Sequence, residues 1–274
     1  MEIIKSTDPQ AKPSVNMLVY GMGGVGKTTF AATAPGALLL DCENGSKYFG
    51  LRGIEVDVAR IGRWEDLQGI FDVARSGKYE TIIIDPIGEL MEKLKRYMIA
   101  KGDRKLVQSD GSPSMAGWGW LKDTLRATVK TIRDSGVHLI IIAHVDEKGD
   151  EDRLVKRPMI ATKLSDELVN IVDIVGYMTT VQGSGEDEDK RIILVDPASD
   201  KYIAKDRTGQ LGKVIPPNFE QIIKAVQGTE SYAWSNGEAK SAPKDDEAGE
   251  GDAETPAPSR KAAVKKAAKK AAKK

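Results

Sequence analysis

Residues 15–28, VNMLVYGMGGVGKT, decide the fold. Val15–Tyr20 is an apolar run of strand length, and the residues after it, Gly21-Met22-Gly23-Gly24-Val25-Gly26-Lys27-Thr28, keep the spacing GxxxxGK[ST]. A helical pattern begins at once over Lys27–Ala34, so strand, glycine loop and helix stand in the order that this spacing requires. Glycines let the backbone curl until successive N–H groups point inward, and the first turn of the helix adds partial positive charge. The pattern predicts a phosphate cradle built from Gly21, Met22, Gly23, Gly24, Val25 and Gly26 with Lys27, Thr28 and Thr29. Lys27 is expected to reach the outer phosphates of ATP, and the Thr28 hydroxyl to coordinate Mg²⁺.

Outward from this loop, short apolar runs alternate with helical patterns. The runs are Ala37–Asp41, Glu55–Ile61, Thr81–Asp85 and Val137–Ala143; the helices are expected at Trp64–Arg75, Ile87–Lys101, Trp118–Asp134 and Leu164–Ile171. Strands apolar nearly throughout are buried on both faces, which predicts an α/β fold with a mostly parallel central sheet flanked by helices. From Ile174 the pattern changes. Ile174–Val181, Arg191–Val195 and Tyr202–Lys205 read as antiparallel hairpins finishing the sheet, and Phe219–Val226 as a closing helix. Residues 1–228 are expected to form the core. Residues 229–274 turn to Ser, Gly, Pro, Ala and charge, a composition too poor in apolar surface to pack.

Lys+Arg and Asp+Glu number 41 each among 274 residues, but the balance hides a segregation. Residues 238–274 hold ten basic and seven acidic side chains, which leaves 31 and 34 for the rest. The last stretch, Arg260–Lys274, carries eight positive charges and no negative one, including Lys265, Lys266, Lys269 and Lys270. Clustered lysines release counterions from a phosphate backbone, so a polyanion is the expected partner of this tail, a solubilising role being the alternative. One cysteine, Cys42, and two histidines exclude an intrachain disulfide framework and a Cys/His zinc site. No apolar run approaches membrane-helix length and no signal peptide opens the chain, so a cytoplasmic setting without membrane attachment is expected.

The phosphate loop needs company. Thr81-Ile82-Ile83-Ile84-Asp85 ends in the carboxylate expected to hold Mg²⁺ through its water shell. Ala37-Leu38-Leu39-Leu40-Asp41-Cys42-Glu43 places Glu43 just past a strand end, and Val137–His144 ends in a hydrogen-bonding imidazole. Asp41-Cys42-Glu43 resembles the Asp-x-Glu motif of the RecA-like ATPases, and that resemblance implies that Glu43 activates the attacking water. His144 is similar in position to their polar sensor, often Gln, which links the γ-phosphate to a DNA-binding loop. Lys205-Asp206-Arg207-Thr208-Gly209 resembles the Lys-x-Arg-x-Gly motif of hexameric replicative helicases and RadA-type proteins. There Lys205 and Arg207 would enter the site of a neighbouring subunit, an arrangement that implies a ring or a filament of identical chains.

The matches lie in RecA-superfamily order over roughly residues 15–210. The compact chain is most similar to the bacteriophage RecA-like ATPases of the Sak group of single-strand annealing proteins and recombinases. The implied function is an ATP-hydrolysing single-stranded DNA-binding protein of recombination and annealing, with a single-stranded DNA-binding protein as a further partner. A helicase or helicase loader and a P-loop kinase of small molecules are the alternatives. Two segments are candidates for touching DNA: Gly102–Trp120, with Arg104, Lys105, Trp118 and Trp120, and Val145–Pro158, with Lys148, Arg153, Lys156 and Arg157. Trp118 and Trp120 also read as core anchors of the next helix, and the acids at 146, 147 and 150–152 weaken the second segment as a binding surface.

Overall fold

A computed structural model of the chain describes residues 13–150, 153–161, 164–183 and 189–229, together with the short strands at 234–235 and 238–239. In chain order the elements are β1 (Asn16–Gly21), α1 (Lys27–Ala31), β2 (Ala37–Asp41), β3 (Asp57–Arg60), α2 (Ile70–Arg75), β4 (Thr81–Asp85), α3 (Ile87–Lys101), α4 (Met115–Arg133), β5 (His138–Asp150) and β6 (Arg153–Pro158). They continue as α5 (Leu164–Ile171), β7 (Ile174–Val181), β8 (Lys190–Leu194), β9 (Lys205–Asp206), β10 (Val214–Ile215), α6 (Phe219–Val226), β11 (Trp234–Ser235) and β12 (Glu238–Ala239).

The sheet runs β10-β8-β7-β1-β5-β4-β2-β3, with β6 pairing β5 and β9 pairing β7. Pairing is parallel from β7 through β1, β5, β4 and β2 to β3, and antiparallel among β7, β8, β9 and β10. Alternation along each strand divides the core into two layers. Leu18, Leu40, Ile84 and Ile141 point to the face covered by α3, α4 and α5, whereas Met17, Val19, Ile83, Ile140 and Ile142 face Phe30 of α1 and Phe219 and Ile222 of α6. Burying one such side chain contributes about 1.5–3 kcal/mol, so strands covered on both faces are the most stable part of the molecule.

Several elements differ from the sequence reading, each for a physical reason. Helix α1 stops at Ala31 and residues 32–34 turn, because Thr33 bonds its hydroxyl back to the Phe30 carbonyl and accepts from the Phe219 N–H. Trp64–Arg75 divides into a 3₁₀ turn, Trp64–Leu67, and α2, with Gly69 at φ 85° between them. Strand β3 is short and mostly exposed, as an edge strand is. The largest difference follows His144: where a loop was expected, β5 runs on to Asp150 and pairs with β6 as an antiparallel ribbon, Val145 opposite Pro158. Helix α4 begins at Met115, three residues before the expected start, and Trp118 and Trp120 lie within it, both half-buried against the core as the anchor reading had it.

The first compact unit is Met1–Ala242; the second, Pro243–Lys274, lies wholly outside the described residues. Lys265, Lys266, Lys269 and Lys270 therefore fall outside them too. Within the stretch expected to stay unpacked, β11 pairs with β12, Trp234 opposite Ala239. No helix among the described residues is long and apolar enough to cross a membrane.

Candidate active site

The register places four strand ends side by side. Gly21 of β1 is level with His144 of β5, and Asp41 of β2 is level with Asp85 of β4. Residues separated by up to 123 positions thereby meet along one edge of the sheet, the carboxyl edge where open α/β sheets bind their ligands.

The loop leaves β1 under tight constraint. A Cβ on Gly21 would stand 2.4 Å from the Met178 carbonyl oxygen of β7, so only glycine lets β1 and β7 pair this close to the loop. Val25 turns its N–H to the Met22 carbonyl at 3.4 Å, while the N–H groups of Gly23, Gly24 and Gly26 have no main-chain acceptor among the described residues. Exposed, unpaired N–H groups of this kind form a concavity that suits an anion. Because α1 has only five residues, these amides and Lys27 carry the attraction more than a helix dipole does.

Lys27 is buried, and its Nζ donates to the Gly21 and Met22 carbonyls at 2.9 Å each. Burial lowers its pKa, and the nearby charges of Asp85 and Glu43 oppose that shift. The Thr28 hydroxyl donates to Asp85 Oδ2 at 2.6 Å, so the two groups expected to serve a divalent cation already meet. Asp85 is buried, and that burial pushes its pKa up to about 6; the Thr28 hydrogen bond opposes the shift and the charge of Glu43 adds to it. Burial disfavours the charged form of this carboxyl, and a nearby cation favours it. That environment, with the free amides beside it, fits a triphosphate carrying Mg²⁺. Among the described residues no three acidic, histidine or cysteine side chains converge, so such an ion would also need the phosphate oxygens.

Glu43 and His144 face one another with Oε2 and Nε2 at 3.6 Å, an ion pair when the imidazole is protonated. The sequence reading left Asp41 without a task; the structure gives it one. Its carboxylate accepts from the N–H groups of Glu43, Gly45 and Ser46 and from the Ser46 hydroxyl, winding residues 41–46 into a turn that presents Glu43. Burial acts to raise the Asp41 pKa, but these donors outweigh it and hold the group below its ordinary value. An Asp followed by Asn44-Gly45, with Asn44 at φ 62°, is the local signal that could have revealed this turn. Thr29, the last predicted cradle residue, accepts at its hydroxyl from Arg52 at 3.1 Å.

Lys205 and Arg207 lie elsewhere. Lys205 stands opposite Val175 of β7, level with Leu18, and the Arg207 N–H bonds to the carbonyl of Asp173, whose own N–H bonds to Asn16. At about 3.3 Å per residue they are roughly 10 and 16 Å short of the loop along β1. Lys205 Nζ donates to the carbonyls of Val169, Asn170 and Val172 at 2.8, 3.2 and 2.6 Å. Arg207 is more exposed, with Nη2 at 3.3 Å from the Asn170 carbonyl and Nη1 at 3.6 Å from Asp173. Neither side chain contributes to the phosphate loop of its own chain.

Of the DNA candidates, Arg104, Lys105 and Lys148 are exposed. Lys156 sits with Nζ 5.2 Å from the centre of the Tyr177 ring, and Arg157 pairs with Asp166 at 3.0 Å, so both are engaged internally. Arg153 opens β6 opposite Asp150. Sequence reasoning missed Tyr20, the residue before the loop. Its hydroxyl lies 2.8 Å from the Ile203 carbonyl and 3.0 Å from that of Lys156, and accepts from the Ile203 N–H at 3.0 Å. Burial raises the Tyr20 pKa, which keeps this hydroxyl a neutral donor. One side chain thus ties β1, the β5–β6 ribbon and the segment leading into β9 together.

A parallel sheet that turns its central strand into a loop of bare amides beside a buried lysine belongs to the class of P-loop nucleotide-binding domains. Comparison with known families agrees with this: residues 14–208 match the family described as the AAA domain, and the chain belongs to it as an AAA-type P-loop ATPase. Among solved structures it is similar to a KaiC-like protein from the hyperthermophilic archaeon Pyrococcus horikoshii, with 16% identity and a TM-score of 0.37 over 66% of this chain and 77% of that one. No curated protein matches the sequence.

Proposed function

We propose that this chain hydrolyses ATP and couples that reaction to single-stranded DNA, as a homo-oligomeric recombination and annealing protein of RecA-like type. The observation that carries the reading is the junction at His144. This residue is level with Gly21, faces Glu43 at 3.6 Å and leads without interruption into the β5–β6 ribbon. A change at the phosphates therefore has a covalent path to a surface hairpin, and Tyr20 adds a second tie to the same ribbon through the Lys156 carbonyl.

In this reading the free amides of the loop hold the β- and γ-phosphates, and Lys27 leaves the Gly21 and Met22 carbonyls to neutralise their charge. Thr28 and Asp85 would hold Mg²⁺, whose charge screens the phosphate oxygens. Glu43, fixed by the Asp41 turn, orients a water and accepts its proton as the oxygen attacks the γ-phosphorus. The bond from γ-phosphorus to the bridging oxygen breaks, and ADP leaves with the electron pair. Arg207, the less anchored of the two distant cations, is the group to lend to an adjoining chain, so turnover rises with assembly. Exposed Arg104, Lys105 and Lys148, with the Lys/Ala tail, supply backbone attraction to DNA.

The test is an ATPase and gel-shift assay with and without single-stranded DNA, on wild type and Glu43→Gln. Wild-type turnover rises several-fold with DNA, while Glu43→Gln keeps its ATP affinity and loses turnover by about 10²–10⁴-fold. Full turnover in Glu43→Gln refutes the assignment of the base. Turnover indifferent to DNA, with no shifted band, refutes the DNA reading and leaves a small-molecule kinase in its place.

A further inference from the structure

Arg191 stands over the phosphate loop, and no role proposed above uses it. It is the second residue of β8 and pairs with Thr180 of β7, two residues beyond Met178, which is level with Gly21. Its backbone therefore lies about 7 Å past the point where β1 becomes the loop, on the side toward which the loop opens. The side chain leans back over the last glycine. A Cβ built on Gly26 would meet Arg191 Cδ at 3.3 Å and Nε at 3.4 Å. Gly26 is also the glycine with φ 104°, so the chain there is bare of side chain and strained for any other residue.

What the guanidinium lacks matters as much. Arg191 is exposed, and its guanidinium has no ion pair or hydrogen bond among the described residues. The carboxylate two residues earlier is occupied, Asp189 accepting from the Gly183 N–H at 3.2 Å. Most other cations near this end of the sheet are spent: Lys27 on two carbonyls, Arg52 on Thr29, Lys156 on the Tyr177 ring. An unpartnered planar fork beside a loop of unpaired amides is suited to bind phosphate oxygens by two parallel N–H bonds.

We infer that Arg191 is a nucleotide-binding residue supplied in cis, which clamps the phosphates of ATP from the β8 side of Gly26. This inference rests on reading the loop as the nucleotide site. It differs in kind from a finger lent by another subunit: the clamp acts within one chain and is complete at any protein concentration. It also gives β8 a task that a hairpin merely finishing the sheet does not have.

The test is titration of the full chain, at concentrations where it is monomeric, with a fluorescent ATP analogue and Mg²⁺. Wild type is compared with Arg191→Ala, Arg191→Lys, Lys190→Ala and Lys27→Ala. Arg191→Ala weakens binding by about tenfold or more, since a hydrogen bond to a charged group is lost, and flattens the salt dependence of binding. Arg191→Lys recovers part of the loss through its point charge. Lys190→Ala removes an equal charge from the next residue, whose side chain points to the other face of the strand, and stays within about twofold of wild type. The nucleotide-free thermal midpoint is the same for wild type and both Arg191 variants, which separates the clamp from a structural role. Binding by Arg191→Ala within twofold of wild type, or an equal loss in Lys190→Ala, overturns the inference. If Lys27→Ala loses binding and Arg191→Ala does not, the clamp alone falls; if wild type binds no nucleotide, the reading of the loop falls with it.

Discussion

Lys27 and Lys205 are two lysines whose amines both donate to main-chain carbonyls, and the difference between their acceptors separates a candidate phosphate ligand from a structural cation. Lys27 bonds to Gly21 and Met22 of a loop whose own amides are free, with Asp85 and Glu43 close enough to oppose the lowering of its pKa. Lys205 bonds to Val169, Asn170 and Val172, the carbonyls left over at the carboxyl end of α5. An ammonium has three protons, and Lys205 uses all three. Burial lowers its pKa as well, with the charge of Arg207 adding to the shift and that of Asp173 opposing it. A cation that satisfies a helix terminus stabilises the fold and gives up three bonds if it moves. Lys27 has a proton to spare and loop amides without main-chain acceptors beside it.

The contrast can be broken most directly by cutting each amine away. Lys27→Ala lowers ATP turnover by about 10²–10³-fold, as loss of a preorganised charge at a transition state does, with little change in the thermal midpoint. Lys205→Ala does the reverse. It destabilises the fold by about 1–3 kcal/mol in urea denaturation, because it strands helix-end carbonyls, and leaves nucleotide affinity of the monomer intact. Should Lys205→Ala keep its stability and lose turnover only in the assembled state, the helix-cap role is wrong and the lysine belongs to a neighbour's site.

A smaller effect sharpens the comparison from the carboxylate side. Burial raises the Asp85 pKa to about 6 in the folded chain, above its unfolded value. The folded state therefore holds its proton more tightly, and this contribution to stability is full below the unfolded pKa and lost as pH rises through about 6. Nucleotide-free Asp85→Asn, which cannot ionise, is accordingly more stable than wild type by about 1–2 kcal/mol at pH 8, and the gap closes toward pH 4. Equal urea midpoints for the two proteins at both pH values would show that Asp85 is not held as a strained charge.

Much of the site was legible because its signals are local. Gly21–Thr28 is contiguous, and the strands carrying Asp41, Asp85 and His144 are apolar runs ending in one polar residue. What escaped was set by partners distant in sequence. Trp118 and Trp120 read both as core anchors and as DNA-facing aromatics, and α4 turns them against the core. The residues after His144 read as a loop because their charges conceal the alternation that pairs β5 with β6. Tyr20 looked like one more strand residue; only the fold brings Lys156 and Ile203 to its hydroxyl.

By itself the sequence determined the chemistry available: a loop that must curl because its glycines permit nothing bulkier, one lysine and one threonine in fixed succession, and strands apolar enough to be buried on both faces. These follow from bonded geometry and short-range periodicity, which a linear chain carries in full. Tertiary structure alone decided which charges face which. Glu43 meets His144, Lys205 turns to the end of α5 and Arg191 overhangs Gly26 because strand pairing, parallel through β1 and antiparallel at β8 and β9, sets the level of each strand against its neighbour. That register is a property of the packed sheet and appears in no single stretch of residues.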